Sequence, residues 1–146
     1  MKCLSLSLLA AVSFASLALA GPKVATSACG SAAVEVVGIP DRDGGYEKVT
    51  ITAKTPTKET RLEFEGRTLR GEYFHATCLE GKNEHKYIVF QNYCGGSACR
   101  DLDNYGIIDS ETLKVLLLPD DTNRTKAAQI LGIDPPPLFR DKKKFF

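Results

Sequence analysis

The chain is predicted to fold as a mostly β (α+β) domain. The expected form is an antiparallel sheet, or a small barrel or sandwich, with one C-terminal helix and two disulfides. Three observations predict this. The stretch "KVTITAK" (48–54) sets Val49, Ile51 and Ala53 on one side and Thr50, Thr52 and Lys54 on the other, the pattern of a half-buried strand. Segments of strand type outnumber helical ones by about seven to one. Four cysteines, Cys29, Cys78, Cys94 and Cys99, follow an apolar leader, an even count that reads as two bridges.

The leader itself, "MKCLSLSLLAAVSFASLALA" (1–20), carries one lysine, an apolar run and then Ala18-Leu19-Ala20 before Gly21. That order predicts a secretory signal peptide, and with it an exported, periplasmic or secreted product. The run from Leu4 to Leu19 is short and diluted with serine and alanine, which argues against an uncleaved anchor. Cys3 precedes the run and Cys29 lies well past the cleavage point, which argues against a lipid anchor. Of 19 basic residues only Lys2 leaves with the leader, so 18 face 18 acidic ones. A charge balance so near zero has no long-range field to gather nucleic acid or anionic lipid. No nucleic-acid partner and no stable membrane insertion are therefore expected. The rest divides into a single β-rich domain, 21–134, and a proline-rich, basic tail, 135–146.

Along the domain, 21–31 is small and polar, an extended lead-in tied down by Cys29. "AVEVVGI" (33–39) is rich in β-branched residues, and "PDRDGGY" (40–46) is turn chemistry. "RLEFEG" repeats the alternation with Leu62 and Phe64 inward, while 73–79 and 86–93, separated by a Gly-Lys-Asn turn, pair as a hairpin. "NYGIID" is a short strand. "LKVLLLP" (113–119) is nearly all apolar and predicts a strand buried on both faces. In "DDTNRTKAAQILG", Asp121 or Thr122 is the expected N-cap, Ala127, Ala128, Ile130 and Leu131 form the apolar stripe, and Gly132 is the stop. Three prolines keep "DPPPLF" extended. "RDKKKFF", with Lys142, Lys143 and Lys144, reads as a frayed, solubilising end.

Four cysteines allow three connectivities. Cys94 with Cys99 and Cys29 with Cys78 is favoured, because Cys94 and Cys99 already lie close along the chain. Chain entropy assigns about 2 kcal/mol to the short ring and about 4 kcal/mol to the long one.

Metal, redox and hydrolytic readings fit the residues less well. A zinc site at Cys94 and Cys99 with His75 or His85 lacks a second cysteine pair, and no Cys-x-x-Cys opens a helix. Asp41 and Asp43, or Asp101, Asp103 and Asn104, do not complete a calcium loop and read as turn formers. Ser97 sits beside a glycine pair but not in Gly-x-Ser-x-Gly. No cofactor, metal or catalytic residue is expected. A small hydrolase or metal-dependent enzyme using His75, His85 or Asp103, and an envelope module without a catalytic partner, remain as alternatives. Asn123-Arg124-Thr125 matches a glycosylation sequon, in the first turn of the expected helix.

The stretch "NYCGGSACRD" (92–101) closes four small residues between two cysteines and is followed by strand, turn and strand. Over about Tyr93 to Pro119 it resembles the loop of the periplasmic vertebrate-lysozyme inhibitors, the Ivy family. In that family the ring protrudes and plugs the catalytic cleft of its target. The family's ring carries Lys-Pro-His-Asp, where this chain has Gly95-Gly96-Ser97-Ala98. A neutral ring suits a cleft built on a Cys-His pair, as in peptidoglycan amidases, better than one built on paired carboxylates. The resemblance implies a protein-binding inhibitor or immunity-type protein whose partner is another protein, such as a peptidoglycan hydrolase. Ser97 would stand at the apex, Gly95, Gly96 and Ala98 would supply shape, and Tyr93, Arg100, Asp101 and Tyr105 would flank it. A purely structural staple is the other reading of the ring.

Overall fold

The computed structural model describes residues 21–42, 45–65, 73–93, 103–120 and 122–146. The signal-peptide reading of 1–20 and the ring 94–99 lie outside these residues.

Eight strands form two antiparallel sheets of four. They are β1 (Lys23–Cys29), β2 (Ala32–Pro40), β3 (Tyr46–Lys54), β4 (Glu59–Glu65), β5 (Tyr73–Glu80), β6 (Lys86–Tyr93), β7 (Tyr105–Asp109) and β8 (Val115–Leu117). The first sheet runs β1-β2-β3-β4 and the second β5-β6-β7-β8, so each is a meander in chain order, and neither closes into a barrel. The expected β class is what forms, as a sandwich.

The turns explain the meanders. Between β1 and β2 only Gly30 and Ser31 intervene, and Gly30 takes φ 58°, as the first central residue of a type II′ turn requires. A side chain there would also strike the Ser110 hydroxyl. Between β2 and β3, Asp41 Oδ1 accepts from the Gly45 N–H at 2.8 Å, so Asp41 serves as a turn former. The β5–β6 turn closes through Gly81 N–H to the His85 carbonyl at 2.8 Å.

Alternation decides what each face meets. Val34, Val36, Val49, Ile51, Ala53 and Phe64 of the first sheet face Phe74, Ala76, Ile88, Phe90 and Ile108 of the second across an apolar core. Phe64, Phe74 and Phe90 form a triangle with ring centroids 5.6–5.7 Å apart. The far face of the second sheet, with Val89, Tyr105 and Ile107, packs under Ala127, Leu131 and Leu138. The result is three layers: sheet, sheet, then helix with C-terminal segment. The strands buried on both faces are thus β6 and β7, whose consecutive Ile88, Val89 and Phe90, and Ile107 and Ile108, are all inaccessible.

Three expectations are corrected. The segment 113–119 is not one doubly buried strand. Asp109 Oδ1 captures the N–H groups of Glu111 and Thr112, and Leu113 takes φ 57° to close the turn. Only Val115–Leu117 is left to pair, and Leu118 is 55% exposed. The helix α1 (Arg124–Leu131) is capped by Asn123, not by Asp121 or Thr122, and that carboxamide makes no capping bond because strand β7 claims it. Gly132 does stop the helix, with φ 69° and its N–H on the Ala128 carbonyl at 2.8 Å.

The tail is not frayed. A single 3-10 turn, Leu138–Arg140, seats Leu138 in the outer core, and Phe146, only 4% exposed, enters the core between the sheets. Phe145 N–H donates to the Ala76 carbonyl at 2.9 Å, so the chain end lies along the outer edge of β5.

Cys29 and Cys78 are disulfide-bonded, joining the end of β1 to β5 across the two sheets, with Cα atoms 5.3 Å apart. Such a bond fits an oxidising, exported environment. Among the described residues no helix is long and apolar enough to cross a membrane. Cys94 and Cys99 lie outside the described residues.

Candidate functional site at the base of the β6–β7 loop

The chain leaves the second sheet after Tyr93 and returns at Asp103, between its two central strands, where Gln91 pairs with Tyr105. Of the expected binding residues, Gly95, Gly96, Ser97, Ala98, Arg100 and Asp101 fall outside the described residues, and Tyr93 ends β6. The loop's base is what can be described.

Tyr105 requires a correction. It was expected to flank the ring as an interface anchor, yet its side chain is fully buried in the outer core. Its place in the alternation of β7 turns it under the C-terminal segment, where the phenol hydroxyl is shared between the Pro135 and Pro136 carbonyls, each at 3.2 Å. Burial pushes this phenol up to about 12; Arg124 opposes the rise, while Asp103 and Asp134 add to it. It stays a neutral hydrogen-bond donor throughout the physiological range.

Around Tyr105 the polar groups close on one another. Asn123 Oδ1 accepts from the Tyr105 N–H at 2.8 Å, and its Nδ2 donates to the carbonyls of Tyr105 at 2.7 Å and Leu118 at 2.9 Å. Gln91 Oε1 accepts from the Leu138 N–H at 2.6 Å. Arg124 holds Asp134 with two bonds, Nε to Oδ1 at 2.9 Å and Nη2 to Oδ2 at 2.8 Å, and reaches Asp103 Oδ1 at 3.3 Å. That fork draws the Asp134 carboxyl below the ordinary range and raises the guanidinium further. Asn92 and Asn104, the residues next inside the loop, are both buried.

The histidines and acids considered for catalysis sit in separate pairings. His75 Nδ1 lies 3.1 Å from the main-chain oxygen of Phe146. Burial holds its imidazole below the usual histidine range, Lys144 and Lys23 add to the drop, and the Phe146 oxygen opposes it. His85 Nε2 meets Asp109 Oδ2 at 2.9 Å, at the opposite end of β6 from the loop. Burial alone would raise the Asp109 carboxyl, but the Thr112 and Glu111 N–H groups, the Thr112 hydroxyl and His85 hold it below the ordinary value. Asp103 is engaged by Arg124. Among the described residues no three His, Cys, Asp or Glu side chains gather as metal ligands would.

Sequence reasoning missed Gln91, Asn123 and Arg124 as parts of this site. Asn123 drew notice only as a sequon, but its carboxamide is buried and bonded at both ends, so a glycan on Nδ2 would break those bonds. The one local signal was a pair of polar residues, Gln91 and Asn92, following the apolar run Tyr87–Phe90 of the same strand. Chemically, the arrangement anchors: Gln91 and Asn123 tie the two stems of the loop to the C-terminal segments.

The chain matches no protein-family model, no curated protein and no solved structure.

Proposed function

We propose that the chain is an exported protein-binding domain that inhibits a cell-wall-degrading enzyme by inserting its 94–99 ring into the enzyme's cleft. Cys94 and Cys99 close the ring by a disulfide, Ser97 leads, Gly95, Gly96 and Ala98 keep it narrow, and Tyr93, Arg100 and Asp101 form the rim.

One observation carries the reading. The stems of the loop are the two strands buried on both faces of the second sheet, and the returning stem is bonded through Tyr105 to Asn123 and the proline segment. A loop closed by a disulfide and set on buried, hydrogen-bonded stems loses less conformational entropy when it docks, so more of its contact energy appears as affinity. A neutral ring favours a Cys-His cleft, such as that of a peptidoglycan amidase, over a carboxylate pair.

The test is a pull-down from periplasmic extract with the wild-type protein and with Ser97→Trp, followed by peptidoglycan-hydrolysis assays on whatever is retained. The expected result is one hydrolase bound and inhibited by the wild type and lost with Ser97→Trp, at an unchanged melting temperature. Equal retention by both proteins refutes recognition through the ring.

A further inference from the structure

Two stacked open sheets have four outer strand edges, and each is a template for pairing unless something blunts it. Among the described residues three are blunted. Strand β4 alternates charge along its exposed side, with Glu59, Arg61, Glu63 and Glu65 tied into ion pairs with one another or with Lys48 and Lys54. The chain end lies along β5 at Ala76. Strand β8 has only three residues.

Strand β1 differs on every count. It runs seven residues, "KVATSAC", with no proline and one charge, and the sheet's irregularity lies at the other side of β2, by Ile39 and Pro40. That one charge, Lys23, stands at the strand's end with its ammonium 4.4 Å from the centre of the Phe146 ring.

Which groups are open follows from the turn. In a two-residue hairpin the closing pair exchanges both its hydrogen bonds, and bonded pairs then recur at every second residue. Cys29 and Ala32 close this one, so Cys29, Ser27, Ala25 and Lys23 bond to β2. The N–H and C=O groups of Val24, Thr26 and Ala28 point outward along the edge. The side chains of these three residues are exposed on the outer face of the first sheet, Val24 at 56%. Beside them lies a shallow groove of about 520 Å³, lined by Thr26, Ala28, Ala33, Glu35, Thr52 and Lys54.

From this edge we infer that two copies of the chain pair through β1, antiparallel about a two-fold axis at Thr26, to make one continuous eight-stranded sheet. With Thr26 opposite its own counterpart, Val24 of each copy lies opposite Ala28 of the other. All the outward groups of the three residues are then satisfied, in about six hydrogen bonds. The register is also the one the side chains favour. Two threonines meet on the axis, a favourable cross-strand pair. Each Val24 covers the small-residue rim formed by Ala28 and Ala33 of the other copy. Lys23 falls opposite Cys29, so no like charges oppose. A second copy fits better than a charged peptide, because the edge offers no charge to select one. The inference concerns β1 and is independent of the 94–99 ring.

Sedimentation equilibrium tests it on the purified protein, with concentrations rising to about 200 µM, because a pairing equilibrium shifts with protomer concentration. Wild type should approach twice the monomer mass. Thr26→Lys, an exposed substitution that sets two ammonium groups face to face on the axis, should stay monomeric with an unchanged circular-dichroism spectrum.

A second variant reads the register. Bonded antiparallel partners have Cα atoms about 5.5 Å apart, inside the roughly 4.4–6.8 Å that a disulfide spans. Thr26→Cys should therefore oxidise to a covalent dimer. Val24→Cys should not, since its two copies are offset by about 14 Å along the strands. A monomer at the highest concentration overturns the inference. So does a dimer indifferent to Thr26→Lys or cross-linked through Val24→Cys, and so does a monomer that takes up an extended segment of a different protein along β1.

Discussion

Asn123 commits its carboxamide to three main-chain partners on two segments, and two of those partners belong to Tyr105. Local sequence gives this residue another meaning, a sequon in the first turn of a helix, and that meaning depends on its near neighbours. The role it takes depends on Tyr105, 18 positions away, which no window on the chain contains. Energetically the position is exacting. Asn123→Ala would strand a buried N–H and a buried carbonyl of Tyr105, each costing about 1–3 kcal/mol when unsatisfied. We expect a loss near 3 kcal/mol in urea unfolding, with the fold retained because α1 still docks through Ala127 and Leu131. A loss below about 0.5 kcal/mol, the range of an ordinary surface substitution, would show that the loop base does not depend on this side chain.

At the scale of elements, legibility tracks how much of an element's stability is local. Strands β3 and β4 and the β5–β6 hairpin were readable because their alternation and turns are written in consecutive residues. The docked chain end was not, because distant groups decide it, and neither was the short β8, which the Asp109 side chain cuts back by taking the Glu111 and Thr112 N–H groups. A lysine run before two phenylalanines looks like a solvated end until the cleft that receives the last ring is known. That cleft is made by Phe74, Tyr46 and the bare backbone of Gly38. Phe146 stands 6.0 Å edge-on from Phe74 and 5.4 Å from Tyr46, and a side chain at Gly38 would strike the Tyr46 ring and crowd the Phe146 ring. The element therefore acts as a strap: it fills the sandwich mouth and covers the β5 edge in one move. Deleting a buried phenylalanine ring costs about 3–5 kcal/mol, and a site near the surface that can partly collapse belongs at the lower end. Phe146→Ala is expected to lose about 3 kcal/mol by urea denaturation and to speed hydrogen exchange at the Ala76 amide, which donates to Phe146 at 3.4 Å. A destabilisation without faster exchange at Ala76 would separate the ring's packing from the strap's cover of the edge.

The whole molecule is a stack in which the second sheet is shared by two cores and the first sheet is held from one side only. Besides apolar burial and the bonds from Thr60 Oγ1 to the Leu113 carbonyl at 2.7 Å and from Ser31 Oγ to the Ser110 carbonyl at 3.3 Å, the disulfide between Cys29 and Cys78 is the one covalent cross-link between the sheets among the described residues. Its pairing was legible from cysteine count and chain distance, though its position at the converging ends of β1 and β5 was not. That position matters for both proposed surfaces. It pins the end of β1, which the self-pairing edge needs straight, to the sheet that carries the β6–β7 loop. The bridged residues are 49 apart in sequence, and closing a loop of that length in the unfolded chain is worth about 4 kcal/mol. Replacing both cysteines with alanine is therefore expected to lower the unfolding free energy by about 4 kcal/mol. The m-value should rise, because the unfolded chain is released from its loop and exposes more surface. The two readouts together separate mechanisms. A large loss with an unchanged m-value would place the effect in native packing around Cys29. A loss below about 1 kcal/mol would mean that the apolar interface already holds the sheets in register without the bond, and that an oxidising compartment adds little to the stability of this fold.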